Sequence, residues 1–124
     1  MEYDKNNIFA RIIRGEIPCK KIYEDESVLA IEDVAPAAPT HALIMPKGDY
    51  VSFDDFTRNT TPETVAYFFT TIATIARILK LETSGYRLIT NHGKDASQSV
   101  PHFHVHLLGG RALGGLLPGD LHAR

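Results

Sequence analysis

Cysteine is nearly absent and tryptophan wholly so: Cys19 is the single thiol in a chain of 124 residues. One cysteine excludes an internal disulfide framework and fits a reducing compartment. Long apolar runs are also missing, since none approaches the ~20 residues that a membrane span requires. A large excess of either charge is missing as well, with 13 Lys and Arg against 15 Asp and Glu. A formal net charge of −2 gives no general attraction to nucleic acid or to an anionic membrane, so a phosphate ligand would have to be held by local donors. The opening residues Met1-Glu2-Tyr3-Asp4-Lys5 are polar and carry acids, unlike a secretory or transit leader. The expectation is a cytoplasmic protein with neither nucleic acid nor membrane as partner.

What is present is ordinary for a globular chain: 44% hydrophobic and 23% charged residues, enough for one domain over 1–124 with its own core. Asn6-Asn7 caps a short predicted helix bearing Ile8, Phe9, Ile12 and Ile13, with Gly15 as its stop. Strands are predicted over 20–24 and 28–33, joined by the turn Asp25-Glu26-Ser27. A proline-stiffened connection, 35–39, leads to a third strand over 40–45 that Pro46 ends. Thr61 caps a long helix with Pro62 at its first position, running to about Leu81 and followed by a turn at Gly85. Glu63, Tyr67, Thr70, Thr71, Thr74 and Arg77 form its narrow polar stripe. The rest is apolar, a wider face than one sheet needs, which implies either deep embedding or contact with a second subunit. Strands over 86–90 and 102–108 complete a set of five, mostly antiparallel by their short connections.

The last of these strands carries the most distinctive pattern. His102, His104 and His106 alternate with Phe103, Val105 and Leu107, placing half of the chain's six histidines in five consecutive positions. On a strand the imidazoles would share one face while the apolar residues enter the core. Near pH 7 such a row supplies a nucleophile, a proton carrier and donors to an anion. A metal is the competing reading. The outer pair would lie roughly 13 Å apart at ~3.3 Å per residue, so the three cannot share one ion at ~2 Å. A zinc site would need His41 or His92 as well, and no cysteine pair is available. The segment Asn91-His92-Gly93-Lys94-Asp95-Ala96-Ser97-Gln98-Ser99 instead brings hydroxyl, amide and backbone N–H groups beside the histidines, which suits a phosphate. It is not a P-loop, and the glycines at 109, 110, 114 and 115 lack dinucleotide-binding spacing.

His102-Phe103-His104-Val105-His106-Leu107-Leu108 resembles the signature of the histidine triad nucleotide-binding proteins. Ile12-Ile13-Arg14-Gly15-Glu16-Ile17-Pro18, Ala38-Pro39-Thr40-His41, Pro46-Lys47, Gln98-Ser99-Val100 and Gly109-Gly110-Arg111 are similar to that family's small adenosine-phosphoramidase branch. The resemblance runs from about residue 4 to 111. It implies an α+β fold with a five-stranded antiparallel sheet and two main helices, the sheet continuing across a homodimer. It also implies hydrolysis of purine nucleoside phosphoramidates, with aminoacyl-adenylates as a further candidate substrate class, through a nucleotidyl-histidine intermediate. No metal or other cofactor is implied.

Matched position by position, the resemblance makes His104 the nucleophile and His106 a phosphate ligand and proton partner. Ser99 would meet the phosphate and leaving group, with Gln98 and Asn91 as further polar contacts. His102 would orient the nucleophile through its backbone carbonyl, and His41 would support the triad from the adjoining strand. Asp33 would hold the ribose hydroxyls, with Ile8, Phe9, Ile12 and Ile31 walling the purine. Plainer roles stay open for Asp33 as a turn residue and for His41 as a structural histidine. The chain departs from the branch after Arg111: 112–124 lacks the aromatic-proline tail that reaches toward the partner's site, leaving this tail either loose or engaged at the dimer contact. A dinucleoside polyphosphate hydrolase and a purine-nucleotide-binding adaptor are the competing functions.

Overall fold

The computed structural model describes residues 2–122. Its elements are helix α1 (Ile8–Ile13), strands β1 (Lys21–Glu24), β2 (Val28–Glu32) and β3 (Thr40–Pro46), helices α2 (Phe53–Asn59) and α3 (Pro62–Ile78), then β4 (Tyr86–Ile89) and β5 (Val105–Gly109). The five strands form one sheet in the order β1-β2-β3-β5-β4, antiparallel at every pairing. This is the expected α+β architecture.

Both faces of the sheet centre are covered. Val28, Ala30, Ala42, Ile44, Val105 and Leu107 meet Phe56, Phe68, Ile72 and Ile75 in the main core. On the opposite face Leu29, Ile31, Leu43 and Met45 pack under Phe9 and Ile12 of α1. The pleat accounts for the division, since alternate residues of β2 and β3 serve alternate layers. His106 pairs with Leu43 and so stands on the α1 face, while its neighbours Val105 and Leu107 are buried on the other.

Several boundaries differ from the sequence reading. The strand expected over 102–108 begins its ladder only at Val105. Before it the chain bends, with Phe103 N–H donating to the Tyr50 carbonyl at 2.7 Å and the His102 ring occupying the Pro46 carbonyl at 2.7 Å. The alternation of faces survives this bend, though not one of burial: Phe103 packs in the main core, while His102 and His104, buried as well, meet Phe9 on the α1 side. Helix α3 ends at Ile78 because Lys80 takes the left-handed turn at φ 60°, a stop no glycine announces. Thr71, assigned to the polar stripe, is buried and donates its hydroxyl to the Tyr67 carbonyl at 2.7 Å. Helix α2 is a third helix beyond the two expected. Its signal was present in Ser52-x-x-Asp55: the Ser52 hydroxyl accepts from the Asp55 N–H at 3.3 Å, and the Asp55 carboxylate accepts from the Val51 N–H at 2.7 Å.

Candidate active site

A cleft of about 690 Å³ opens on the α1 face of the sheet. Its apolar wall comes from Ile8, Phe9 and Ile12 of α1, Ile31 of β2 and Leu43 of β3, and its polar end from Asp33, Asn91, Gln98, Ser99, His104 and His106. Ten of the twelve residues singled out in the sequence thus meet at one cavity. The other two, His102 and His41, lie behind it. Sequence reasoning missed Ser97, Val100 and Leu43, which also line the cleft. Leu43 was findable from the alternation of β3; the other two depend on the fold of the loop.

The loop before the triad is braced by one side chain. Gln98 Oε1 accepts from Gly93 N–H at 2.9 Å, while its amide nitrogen donates to the carbonyls of Val51 at 2.7 Å and Val100 at 3.2 Å. Gln98 therefore reaches the cavity wall with its amide already engaged, and Ser99 presents a hydroxyl beside it. Gly93 at φ 78° and Ser97 at φ 59° turn the backbone on either side of a short 3₁₀ turn, Lys94–Ala96.

Hydrogen-bond partners fix the protons of four imidazoles. A carbonyl oxygen can only accept, so His104 carries its proton on Nδ1 and donates to the His102 carbonyl at 2.7 Å. Its Nε2 is left with a lone pair. His102 donates from Nε2 to Pro46 O, and its Nδ1 accepts from the Tyr3 hydroxyl. His41 Nδ1 accepts from the Ala37 N–H at 3.0 Å, which puts the His41 proton on Nε2. That proton is donated to His106 Nδ1 at 2.8 Å, with Asp33 Oδ2 3.4 Å away. His106 then carries its own proton on Nε2.

The three triad histidines favour the neutral form. Burial lowers the pKa of His102 and His104 below the ordinary histidine value. His106 is pushed down to about 4 by burial, then by its neighbours His104 and His41, against a smaller opposing pull from Asp33. A neutral row is the condition for one member to act as a nucleophile.

The segment after the triad supports His41. Gly110, at φ 95°, lies where an added Cβ would stand 2.9 Å from Pro39 Cβ, so only glycine lets β5 end against the 35–39 connection. Arg111 then donates to the Ala37 carbonyl at 3.2 Å, fixing the peptide whose neighbouring N–H sets the His41 tautomer. Further along, Arg87 of β4 donates to the carbonyls of Gly114 at 2.8 Å and Gly115 at 3.1 Å, tying down part of the tail; residues 123 and 124 lie outside the described range.

One group among the described residues brings potential metal ligands together: a carboxylate oxygen of Asp33 and ring nitrogens of His41 and His106 lie within 4.8 Å of one another. Its bonding opposes an ion. His41 Nε2 could ligate only after losing its proton, which would then sit on Nδ1 against the Ala37 N–H. His41 and His106 are instead joined by a hydrogen bond, with the Asp33 carboxylate near the donor nitrogen.

An antiparallel sheet that presents alternating histidines to a half-apolar cleft defines the histidine-triad class of proteins. The HIT domain profile matches residues 14–113, and the chain belongs to that family. It is 50% identical over 115 residues to an uncharacterized 13.2 kDa HIT-like protein of Azospirillum brasilense, covering 93% of this chain and 94% of the other. It is 40% identical over 113 residues to the purine nucleoside phosphoramidase of Escherichia coli K12, with 91% and 94% of the two chains covered. Among solved structures, a HIT family hydrolase from Clostridium thermocellum superposes with a TM-score of 0.80 at 38% identity, over 92% of this chain and 98% of that one. The fold is that of HIT family hydrolases. No helix among the described residues is long and apolar enough to cross a membrane.

Proposed function

We propose that the protein hydrolyses the P–N bond of purine nucleoside 5′-phosphoramidates, acting as a cytoplasmic homodimer. The observation that carries this reading is the His104 tautomer: with Nδ1–H tied to the His102 carbonyl, the Nε2 lone pair is the ring nitrogen left to meet a phosphorus atom at the polar end of the cleft. The 40% identity to the E. coli phosphoramidase supports the substrate class.

In the first step His104 Nε2 attacks phosphorus, the P–N bond to the leaving amine breaks, and the amine takes the bonding pair together with a proton. His106 is the proton partner. Its own pKa is far below neutrality in the free protein, and a bound phosphate supplies the negative charge that raises it, with Asp33 balancing the resulting imidazolium through His41. Ser99 at the loop rim steadies the phosphate oxygens. In the second step water attacks phosphorus, the P–N bond to His104 breaks, and the nucleoside monophosphate leaves. The apolar wall of Ile8, Phe9, Ile12 and Ile31 receives the purine, and the remaining lone pairs of the Asp33 carboxylate, whose Oδ1 also accepts from the Ala35 N–H and whose Oδ2 faces His41, take the ribose hydroxyls.

The dimer reading rests on β4. It is the last strand of the sheet and pairs on one side only, with β5. Its Tyr86, Leu88 and Ile89 are exposed, as is Ile78 at the end of α3. A second copy covering this edge would continue the sheet and bury those side chains.

A substrate panel tests the function. Adenosine 5′-phosphoramidate should be turned over with a much higher kcat/KM than a diadenosine polyphosphate; the reverse order would overturn the phosphoramidase assignment in favour of polyphosphate cleavage.

A further inference from the structure

The N-terminal segment ahead of α1 belongs to none of the motifs that carry the family resemblance in the catalytic strand, yet it is built into the site. Tyr3 reaches 99 residues along the chain to place its hydroxyl on His102 Nδ1, and its ring meets the His102 ring edge-on at 5.6 Å. His102 is fully buried, so the Tyr3 hydroxyl occupies a nitrogen that water does not reach. The segment is itself pinned. The Asp4 carbonyl accepts from the Asn7 side chain at 2.8 Å, the Asp4 carboxylate accepts from the Asn6 N–H at 2.8 Å, and the Arg14 guanidinium donates to the Lys5 carbonyl at 2.7 Å.

We infer that Tyr3 is a positioning residue for the nucleophile, acting through His102. The chain of bonds is continuous and each link has one possible direction. The Pro46 carbonyl demands a proton on His102 Nε2, so His102 Nδ1 is bare and the Tyr3 hydroxyl must donate to it. A ring held at both nitrogens cannot rotate about its side-chain torsions, and the same residue's carbonyl is the acceptor that locks His104 Nδ1–H. Tyr3 therefore fixes the orientation of His104 Nε2 without touching substrate. Phe9, edge-on to both His102 at 6.4 Å and His104 at 4.9 Å, closes the other side of the pair.

This inference rests on the phosphoramidase reading, and Tyr3→Phe tests it because the ring contact is kept and only the hydroxyl is lost. With adenosine 5′-phosphoramidate, kcat should fall about 3- to 10-fold, the span of one neutral hydrogen bond, while the affinity for AMP stays within about 2-fold. Ring-nitrogen NMR should show His102 Nδ1 moving to the position of an unbonded nitrogen and His104 Nδ1–H exchanging faster with solvent. In a His102→Ala background, Tyr3→Phe should have no further effect on kcat. Unchanged kcat in Tyr3→Phe, or equal losses of kcat and AMP affinity, would reduce Tyr3 to a structural role. A wild-type spectrum with the His102 proton on Nδ1 would overturn the bonding chain without recourse to any variant. Failure of the wild-type protein to cleave the phosphoramidate would instead remove the function itself.

Discussion

His41 Nε2 stands 2.8 Å from His106 Nδ1, and the same nitrogen lies 3.4 Å from Asp33 Oδ2. A carboxylate just past β2, an imidazole on β3 and a triad histidine on β5 thus cluster across three neighbouring strands, with a hydrogen bond between the two imidazoles. The bond supports the reading of His41 as a partner of the triad over that of an isolated structural histidine. His41→Phe keeps the ring volume and removes both nitrogens, freeing His106 to change tautomer. Turnover should fall by on the order of 10-fold or more, as for a lost buried hydrogen bond at a proton-transfer site, with nucleotide affinity little changed. Steady-state kinetics beside AMP titration calorimetry checks this, and a variant with full kcat would break the relay.

The pH dependence follows from neutral histidines. His102, His104 and His106 are all held below the ordinary value of 6.5, so the nucleophile stays unprotonated to lower pH than an ordinary histidine. The profile of kcat/KM should remain flat as pH falls through 6.5 and decline only at lower pH. Stability carries the same sign. Groups with depressed folded pKa bind more protons unfolded, so their contribution is complete above about 6.5 and is lost as pH falls toward the about 4 of His106. Melting temperatures measured from pH 8 to pH 4 should drop chiefly below 6.5. A kcat/KM limb centred on 6.5 would contradict the burial argument.

Phe103 lies between two triad histidines in sequence and points into the opposite core. It is buried, stacked on Phe56 at 4.8 Å and tilted against Phe68 at 5.4 Å. Phe103→Ala should cost about 3–5 kcal/mol, the range for a large aromatic deleted from a packed core. Urea unfolding measures it, and a loss under 1 kcal/mol would show that the strand is not anchored there.

The unpaired edge of β4 makes an assembly prediction. Sedimentation at micromolar concentration should give about twice the 13.8 kDa chain mass. Replacing Leu88 by Lys, which charges the exposed edge, should shift the equilibrium toward monomer. A wild-type monomer at that concentration would remove the continuous-sheet reading.

The sequence disclosed the parts of the site whose signal is local. Alternation about His104 placed Phe103, Val105 and Leu107 in the core, and the cap at Asn7 placed α1, whose Asn7 side chain accepts from Ala10 N–H at 2.9 Å. Features set by distant partners were hidden. The late start of β5 depends on the bonds that draw Phe103 to Tyr50 and the His102 ring to Pro46, and the end of α3 on a left-handed lysine that carries no glycine signal. Gln98 read as a ligand contact because its type suits one, while its partners Val51 and Gly93 bring its amide into the loop. Tyr3 lies 99 residues from His102, beyond any spacing rule.

The measurement closest to the central claim is a rapid quench of enzyme with an adenosine phosphoramidate within one turnover, followed by peptide mapping. AMP should be found on His104 as an acid-labile adduct. His104→Gly should abolish both adduct and turnover while still binding AMP, because the walls proposed for base and ribose lie on α1, on β2 and just past its end. An adduct on His102 or His106, or full activity in His104→Gly, would contradict the account.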